Sequence, residues 1–245
     1  LTPIKARLHR DITGTLKSIT LTRTTTGKYF AALLVDDGVE APTPLQTVDT
    51  VLGVDMGLTH LSIDSTGRKV ANPRFLKRAR ANLRRKQKAL SRCQKGSKRR
   101  AKARLTLAKA HERLANARAD FQHKLPRQFI DDNQAVVVET LKVKNLLKNR
   151  KLSKHIADAS WFSLVQKLEY KAKEQGKHLV KIDQWFASSK TCSCCGHKVD
   201  TLPLSVRNWS CPACTAELER DVNAAINIRQ QGIINLRAEG LSVPA

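Results

Sequence analysis

The stretch Val51-Leu52-Gly53-Val54-Asp55-Met56-Gly57 decides the fold, because it is a short apolar run that ends in an acid and a glycine. Apolar runs of about four to eight residues bounded by turn signals are typical of buried strands. Gly57 lets the backbone turn after the strand without a Cβ clash. We therefore expect a buried strand with Asp55 at its carboxyl end.

Strands and helices alternate along the rest of the chain. Further strands are expected at residues 15–24, 28–36, 60–64, 135–139 and 178–183, and helices at 157–175 and 221–236. The strands are rich in β-branched and aliphatic residues, whereas the helices have apolar positions three and four residues apart. This alternation predicts an α/β fold built on a mixed sheet.

Residues 74–124 are strongly basic, with nineteen Lys or Arg and two acids. Gly96-Ser97 divides the stretch into two helices, the form of an antiparallel hairpin. A solvated helical face is the alternative interpretation, but the scarcity of acids leaves few i,i+4 partners and favours contact with phosphates. The candidate nucleic-acid-binding residues are Arg74, Lys77, Arg78, Arg84, Arg85, Lys98, Arg99 and Arg100.

The whole chain of 245 residues carries 45 Lys or Arg and 21 Asp or Glu, a formal net charge of +24. Such a charge favours an anionic partner, with nucleic acid ahead of a membrane surface. No segment approaches the roughly 18 apolar residues of a membrane span, and we expect no signal peptide, because residues 1–5 lack an apolar run. Because the chain begins at Leu1 and its first Met is Met56, we expect it to be part of a longer protein.

Five of the six cysteines lie between residues 192 and 214, where Cys192, Cys195, Cys211 and Cys214 form a C-x2-C-x15-C-x2-C pattern. Each CxxC turn directs two thiolates to one point, so two turns complete a tetrahedral zinc shell. Redox cysteines are the alternative interpretation. Cys194 is expected to be a spare, and the four-cysteine site to be structural, because it leaves no open position on the metal.

Three acids stand at the ends of elements: Asp55 and Glu139 each end an apolar strand, and Asp221 begins a helix. Parallel strands of a sheet end along one edge, so these carboxylates can converge there. Two Mg²⁺ ions would relieve their repulsion and support phosphodiester cleavage. Taken singly, the three are also explained as a turn residue, a strand end and a helix N-cap.

The acids lie in segments that resemble the three RuvC motifs of the TnpB (OrfB) family of insertion-sequence proteins, which are similar to compact type V CRISPR effectors. The segments are 53–58 (GVDMGL), 137–141 (VVETL) and 220–228 (RDVNAAINI). The start of the family's zinc ribbon is matched at 188–196 (SSKTCSCCG), and its intervening helices at 72–77 and 156–161. The resemblance runs from about residue 5 to 240.

The resemblance implies a RuvC-like, RNase H-type nuclease fold. Its expected parts are a β-rich remnant of an oligonucleotide-barrel-like wedge domain (1–48), a RuvC-like domain with the basic hairpin (49–187), a zinc ribbon (188–216), and the last RuvC motif with a carboxyl-terminal helix (217–245). Asp55, Glu139 and Asp221 would be the catalytic acids and Mg²⁺ ligands. Cys192, Cys195, Cys211 and Cys214 would hold structural Zn²⁺.

The resemblance also implies a transposon-encoded, RNA-guided DNA endonuclease, in which guide RNA supplies the sequence reading. The expected partners are DNA and guide RNA but no membrane, with the protein in the prokaryotic cytoplasm near the nucleoid, as a monomer on RNA or alternatively as a dimer. The family commonly has His-Asp before the last Arg-Asp, whereas this chain has Leu218-Glu219. A decayed, non-catalytic zinc-ribbon nucleic-acid binder is the alternative function.

Three aromatic residues are further candidates for contact with nucleic acid. Trp161, Trp185 and Phe186 have rings on which bases could stack. Packing in the core is the favoured interpretation for each of them.

Overall fold

The computed structural model describes residues 5–243 and contains nine strands and six α-helices in that range. The strands are β1 Thr15–Arg23, β2 Tyr29–Asp36, β3 Val51–Met56, β4 His60–Asp64, β5 Lys69–Ala71, β6 Ala135–Glu139, β7 His178–Ile182, β8 Asn208–Ser210 and β9 Glu217–Glu219. The helices are α1 Phe75–Ser91, α2 Lys98–Asp132, α3 Val143–Leu146, α4 Ser153–Ala159, α5 Trp161–Glu174 and α6 Arg220–Ala238. A 3₁₀ turn covers Ser188–Lys190.

The chain divides into two compact units, and α1 and α2 contribute residues to both. The first unit, as far as it is described, comprises residues 5–41 and 81–113. In it, the two expected strands, β1 and β2, pair as an antiparallel hairpin, with Thr15 opposite Asp36. Glu112 of α2 accepts hydrogen bonds from Thr26 and Lys28 at the hairpin turn, at 2.9 and 3.1 Å.

The basic stretch forms two helices, as predicted, with the break at residues 92–97. The Arg100 guanidinium donates hydrogen bonds to the carbonyls of Leu90 and Cys93, at 3.2 and 3.0 Å. Leu90 lies in the last turn of α1, where its carbonyl also accepts the Cys93 amide at 3.2 Å, and Cys93 follows the helix. Arg100 therefore caps α1 and stabilises the turn between the helices.

The second unit, residues 42–80 and 114–243, is built on a five-stranded sheet in the order β5-β4-β3-β6-β7. β3 and β6 are parallel, as are β6 and β7, whereas β4 and β5 run antiparallel to their neighbours. The predicted mixed sheet is confirmed. The near-continuous apolar runs of β3 and β6 are buried because helices cover both faces.

Alternate residues of the central strands belong to two hydrophobic clusters. Leu52, Val54, Val136 and Val138 pack with residues of α2, α4 and α5. Val51, Ala135 and Val137 pack with residues of α6 on the opposite face. Since side chains alternate along a strand, Asp55 and Glu139 share the α6 face with this second set.

Two glycines allow α6 to lie directly on the sheet. A Cβ atom on Gly53 would clash with the backbone of Ala225 and Arg229, and one on Gly232 would clash with the side chain of Val137. The absence of these Cβ atoms permits close contact between α6 and strands β3 and β6. The amino-terminal turn of α6 is thereby directed to the edge where Asp55 and Glu139 lie at or near the ends of their strands.

The single helix expected at residues 157–175 is wrong, because Ser160 divides the segment into α4 and α5. Ser160 adopts a left-handed conformation, with φ 55° and ψ 42°. The break redirects the chain so that Trp161, Leu164 and Leu168 of α5 reach the core below the sheet. Uninterrupted helical periodicity in the sequence gave no sign of it.

Among residues 5–243, no helix has both the length and the apolar composition that a membrane crossing requires.

Candidate active site and metal centre

Three acids lie at the carboxyl edge of the parallel strands. Val54 of β3 pairs directly with Val138 of β6, and Asp55 and Glu139 are the next residues of these two strands. Asp221 lies in the first turn of α6, which begins at Arg220 and packs on the same face. The N-cap of α6 is Glu219, so the alternative interpretation of Asp221 as an N-cap is wrong.

The charges of Glu139 and Asp221 act on the ionisation of Asp55. The pKa of Asp55 is raised to about 7, first by burial and then by the charges of Glu139 and Asp221, while Arg220 and Arg207 act in the opposite direction. Like charges in one poorly solvated site disfavour simultaneous ionisation. The arrangement therefore favours a bound cation or proton.

Glu139 is held by the segment that leads to the cysteines. The Ser188 hydroxyl donates a hydrogen bond to the Glu139 carboxylate. Burial raises the pKa of Glu139, and the Ser188 hydrogen bond partly offsets this effect. The Ser188 side chain thus stabilises the ionised form of Glu139 and restricts its orientation.

Asp221 is paired with a cation. The Arg207 guanidinium nitrogen Nη1 lies 3.0 and 3.1 Å from the two carboxylate oxygens of Asp221. The Arg207 side chain is 55% exposed, so water competes with this contact and it is readily exchanged. The two residues that differ from the family pattern each have a structural partner. Leu218 packs with the cysteine cluster, and Glu219 forms an ion pair with Lys69.

Four cysteine sulfurs converge at the predicted metal site. The Sγ atoms of Cys192, Cys195, Cys211 and Cys214 all lie within 4.8 Å of one another. The Cys192–Cys214 and Cys195–Cys211 sulfur pairs are 3.7 and 3.6 Å apart. A tetrahedron with Zn–S bonds of about 2.3 Å has edges of roughly 3.8 Å. The cluster could hold a metal such as zinc, and Cys194, which is exposed, lies outside it.

The two CxxC turns have the same backbone geometry. The amide of Gly196 donates to the carbonyl of Cys192, and that of Thr215 to the carbonyl of Cys211, each at 2.9 Å. Both Gly196 and Thr215 have positive φ, at 77° and 59°. At Cys192, burial opposes ionisation, but backbone donors and the neighbouring thiols outweigh it and lower the pKa to about 6, whereas the pKa values of Cys195 and Cys214 are raised within the same cluster. Thiolates are the form that binds metal.

Two asparagines attach the cysteine cluster to α6. Asn223 and Asn227 are almost fully buried, at 1% and 2% exposure. Both donate to the carbonyl of Thr191, at 2.7 and 2.6 Å, and Asn227 donates to that of Ser188 at 2.8 Å. The helix that carries Asp221 therefore also holds Ser188 and Thr191, the residues that lead into Cys192.

The basic candidates occupy different environments. Arg74, Lys77 and Arg78 are exposed in the second unit, and the Arg78 guanidinium lies 5.4 Å from the centre of the Phe75 ring. In the first unit, Arg84, Arg85, Lys98 and Arg99 are exposed. Arg100 differs from all of these because it is half-buried against backbone carbonyls.

The three aromatic candidates differ in how far their side chains are exposed. Trp161 is 5% exposed in the core, and Phe186 packs beside the α6 cluster, in agreement with the favoured interpretation. For Trp185 that interpretation is wrong, since its side chain is 82% exposed. Trp185 belongs to a short loop after β7, where no packing partner among the described residues covers it.

The sequence did not reveal the supporting residues Ser188, Arg207, Asn223 and Asn227. One signal was present for the asparagines, which lie four residues apart among the apolar positions of α6. Polar residues at buried positions need hydrogen-bond partners, so such a pair indicates a docking site. Ser188 and Arg207 lie outside regular strands and long helices, where no periodicity marks them.

Comparisons with known proteins agree with this architecture. A family model described as "Probable transposase" matches residues 33–150, and one described as "Cas12f1-like, TNB domain" matches residues 161–228. A "Putative RNA-guided DNA endonuclease" of Streptomyces pristinaespiralis is 45% identical over 216 residues, covering 88% of this chain and 53% of the relative. "Putative RNA-guided DNA endonuclease InsQ" of Escherichia coli strain K12 is 26% identical over 244 residues, covering 94% and 60%.

A solved structure has a similar fold. The protein in "Cryo-EM structure of the Cas12f1-sgRNA-target DNA complex" matches with a TM-score of 0.55 and 16% identity, covering 86% of this chain and 55% of that one. The chain spans little more than half the length of these two curated relatives. Since the two family models match in the same order as the motifs, the chain belongs to the TnpB (OrfB) family of insertion-sequence proteins.

Proposed function

We propose that this chain carries the nuclease centre of a transposon-encoded, RNA-guided DNA endonuclease that cleaves phosphodiester bonds by a two-metal RuvC mechanism. Asp55, Glu139 and Asp221 are its catalytic acids. The proposal rests on the placement of these three residues at one sheet edge, where burial and then the charges of Glu139 and Asp221 raise the pKa of Asp55. The names of the similar proteins support the same class of reaction.

Mg²⁺ fits the donor set of this edge, because all three side chains offer carboxylate oxygens and repel one another when ionised. When bound, Mg²⁺ activates a water molecule and stabilises charge on the leaving oxygen. The chain holds the ligands in place: β3 and β6 fix Asp55 and Glu139, α6 fixes Asp221, and Ser188 orients Glu139.

The cysteine cluster is proposed to bind structural Zn²⁺ through Cys192, Cys195, Cys211 and Cys214. Its small core of Trp209, Leu218 and the cysteines is too limited to fold alone, so metal binding supplies folding free energy. The exposed Arg and Lys side chains of residues 74–99 are proposed to contact the phosphates of guide RNA and DNA in the bacterial cytoplasm.

A cleavage assay tests the proposal. The chain, its guide RNA and a matching DNA are incubated with Mg²⁺, beside the variants Asp55→Ala and Glu139→Gln. We expect cleavage by the unaltered chain and a loss of at least about a hundredfold in both variants. Equal cleavage by the unaltered chain and Asp55→Ala would refute the assignment.

A non-catalytic nucleic-acid binder is the second candidate, and one contact favours it. The Arg207–Asp221 ion pair places a cation on the carboxylate that Mg²⁺ needs. Calorimetric titration with Mn²⁺ separates the two candidates. The nuclease requires binding that Asp55→Ala abolishes and Arg207→Ala strengthens, whereas the non-catalytic binder shows no metal binding at this edge in either the unaltered chain or Arg207→Ala.

A further inference from the structure

The loop of residues 183–187 is attached to Glu139 at both ends. On one side, Ile182 of β7 pairs with Glu139, and its carbonyl accepts the amide of Thr140 at 3.2 Å. On the other side, Ser188 donates its hydroxyl to Glu139. Both ends of the loop therefore lie beside Glu139 at the candidate active site.

Trp185 lies at the middle of this loop. It is three residues from Ile182 and three from Ser188, so its Cα lies within roughly 11 Å of each by chain length alone. Its backbone is held, because the Trp185 amide donates to the Asp183 carboxylate at 2.7 Å and the Phe186 amide to the Asp183 carbonyl at 3.3 Å. Phe186, the next residue, packs into the core and anchors the loop.

The side chain of Trp185 is 82% exposed despite this anchored backbone. The other two tryptophans of the chain, Trp161 and Trp209, are 5% and 9% exposed. An exposed indole ring on a fixed loop offers a flat apolar face at little cost in ordering. Such a face suits the bases of a nucleic acid, which stack on exposed aromatic rings.

We propose that Trp185 is a base-stacking platform that holds an unpaired nucleotide of the strand entering the Asp55–Glu139–Asp221 site. The partner is a single strand, because the faces of bases in a duplex are already covered by their neighbours. Stacking tolerates any base, so the platform positions the strand without reading its sequence. This inference rests on the proposed function only for the identity of the strand, and its test does not require cleavage.

Binding of two probes to the 245-residue chain tests the proposal. One probe is an oligothymidine of about ten nucleotides, and the other is an abasic oligonucleotide with the same number of phosphates. The titrations are made at about 0.3 M sodium chloride, which weakens the phosphate contacts of the basic residues. Stacking then makes up a larger share of the measured affinity. We expect the oligothymidine to quench the emission of Trp185, and the abasic probe to leave it unchanged.

Variants complete the test by fluorescence anisotropy. Trp185→Ala should weaken oligothymidine binding by roughly 5- to 100-fold without changing abasic binding, and Trp185→Phe should restore most of the affinity. Phe162→Ala, a control at another exposed aromatic residue on α5, should have no effect. Equal quenching by both probes, unchanged affinity in Trp185→Ala, or an equal loss in Phe162→Ala would each overturn the proposal.

The outcome is separable from that of the proposed function. If the base-dependent quenching occurs and no cleavage is found, the platform stands and the endonuclease assignment fails. If cleavage depends on Asp55 but quenching does not depend on bases, the endonuclease stands and the platform fails. Asp55→Ala should retain the quenching, because Asp55 has no part in stacking.

Discussion

The Ser188 hydroxyl donates a hydrogen bond to the Glu139 carboxylate and thereby joins the start of the cysteine-rich segment to the edge of the central sheet. Ser188 lies four residues before Cys192, and its carbonyl is held in turn by Asn227 of α6. The orientation of Glu139 therefore depends on the packing of the cysteine-rich segment against α6. Loss of this one hydrogen bond should affect the acids without unfolding the chain.

Ser188→Ala should weaken Mn²⁺ binding at the acids by about tenfold, because partners of metal ligands typically contribute this much to affinity. Without the hydroxyl, the pKa of Glu139 is also expected to rise, since the hydrogen bond is what lowers it. Calorimetric titrations at several pH values measure both effects.

Two variants control this prediction. Ser188→Thr keeps a hydroxyl and should recover most of the Mn²⁺ affinity, whereas Ser189→Ala, in the same 3₁₀ turn, should leave it unchanged. If Ser189→Ala and Ser188→Ala weaken binding equally, the effect comes from the turn and not from the hydrogen bond to Glu139.

Asp55→Asn should stabilise the chain at alkaline pH when Mg²⁺ is absent. The folded state holds the proton of Asp55 up to about pH 7, whereas the unfolded state releases it near the ordinary carboxyl pKa of 3.8. The stabilisation that the Asp55 proton gives to the folded state is therefore fully present below pH 3.8 and is lost as the pH rises to about 7. The substitution removes this loss and should raise the free energy of unfolding at pH 8 by up to about 4 kcal/mol, since each pKa unit corresponds to about 1.4 kcal/mol.

Urea denaturation of the zinc-loaded chain at about pH 5.5 and pH 8 measures the difference, which should be smaller at the lower pH because only part of the stabilisation from the Asp55 proton has been lost there. Asp132→Asn, at the exposed end of α2, serves as the control and should leave the pH profile unaltered. Added Mg²⁺ should stabilise the unaltered chain and not Asp55→Asn, since ligands stabilise the state that binds them. A destabilised Asp55→Asn at pH 8 would contradict the prediction.

The strands and the cysteine cluster were predictable from sequence because their signals are local. An apolar run that ends in Asp55 or Glu139 specifies a buried strand, and a CxxC turn needs only its own few residues to direct its sulfurs. The convergence of Asp55 with Glu139 also follows from the parallel pairing of β3 and β6. These features depend little on how distant parts of the chain pack.

The supporting contacts were not predictable for the opposite reason. The Arg207–Asp221 pair and the Ser188–Glu139 hydrogen bond exist because the cysteine-rich segment folds back onto α6. The exposure of Trp185 likewise depends on the conformation of a loop that is fixed at its two ends. A loop has no periodic sequence pattern from which the burial of a side chain can be predicted. Such features are set by tertiary packing, to which composition and spacing are insensitive.

Cys211→Ser should abolish binding of zinc at the four-cysteine cluster, whereas Cys194→Ser should retain it. Both residues are thiols in the same short segment, but only the Cys211 sulfur lies within the cluster. A colorimetric zinc assay on the purified proteins should find about one Zn²⁺ per chain in Cys194→Ser and none in Cys211→Ser.

The emission of Trp209 provides a second measurement. Trp209 packs in the core beside Cys192 and Cys211, so loss of metal should expose the indole and shift its emission to longer wavelength. Because Trp185 is already exposed, the comparison is made in the Trp185→Phe background. Loss of zinc in Cys194→Ser as complete as in Cys211→Ser would show that the ligands are misassigned.

The exposed basic residues of α1 should set the salt dependence of binding to nucleic acid. Each phosphate contact releases about one counterion, so log K falls with log salt at a slope that counts the contacts. Replacing Arg84 and Arg85 together by Ala should reduce that slope by about 2, if both contact phosphates. The matched control is Arg127→Ala, since Arg127 is exposed on a helix but is already paired with Asp131 at 2.7 Å. Filter binding of a DNA duplex between about 0.05 and 0.3 M salt measures the slopes, and an unchanged slope in the double variant would place the phosphate contacts elsewhere.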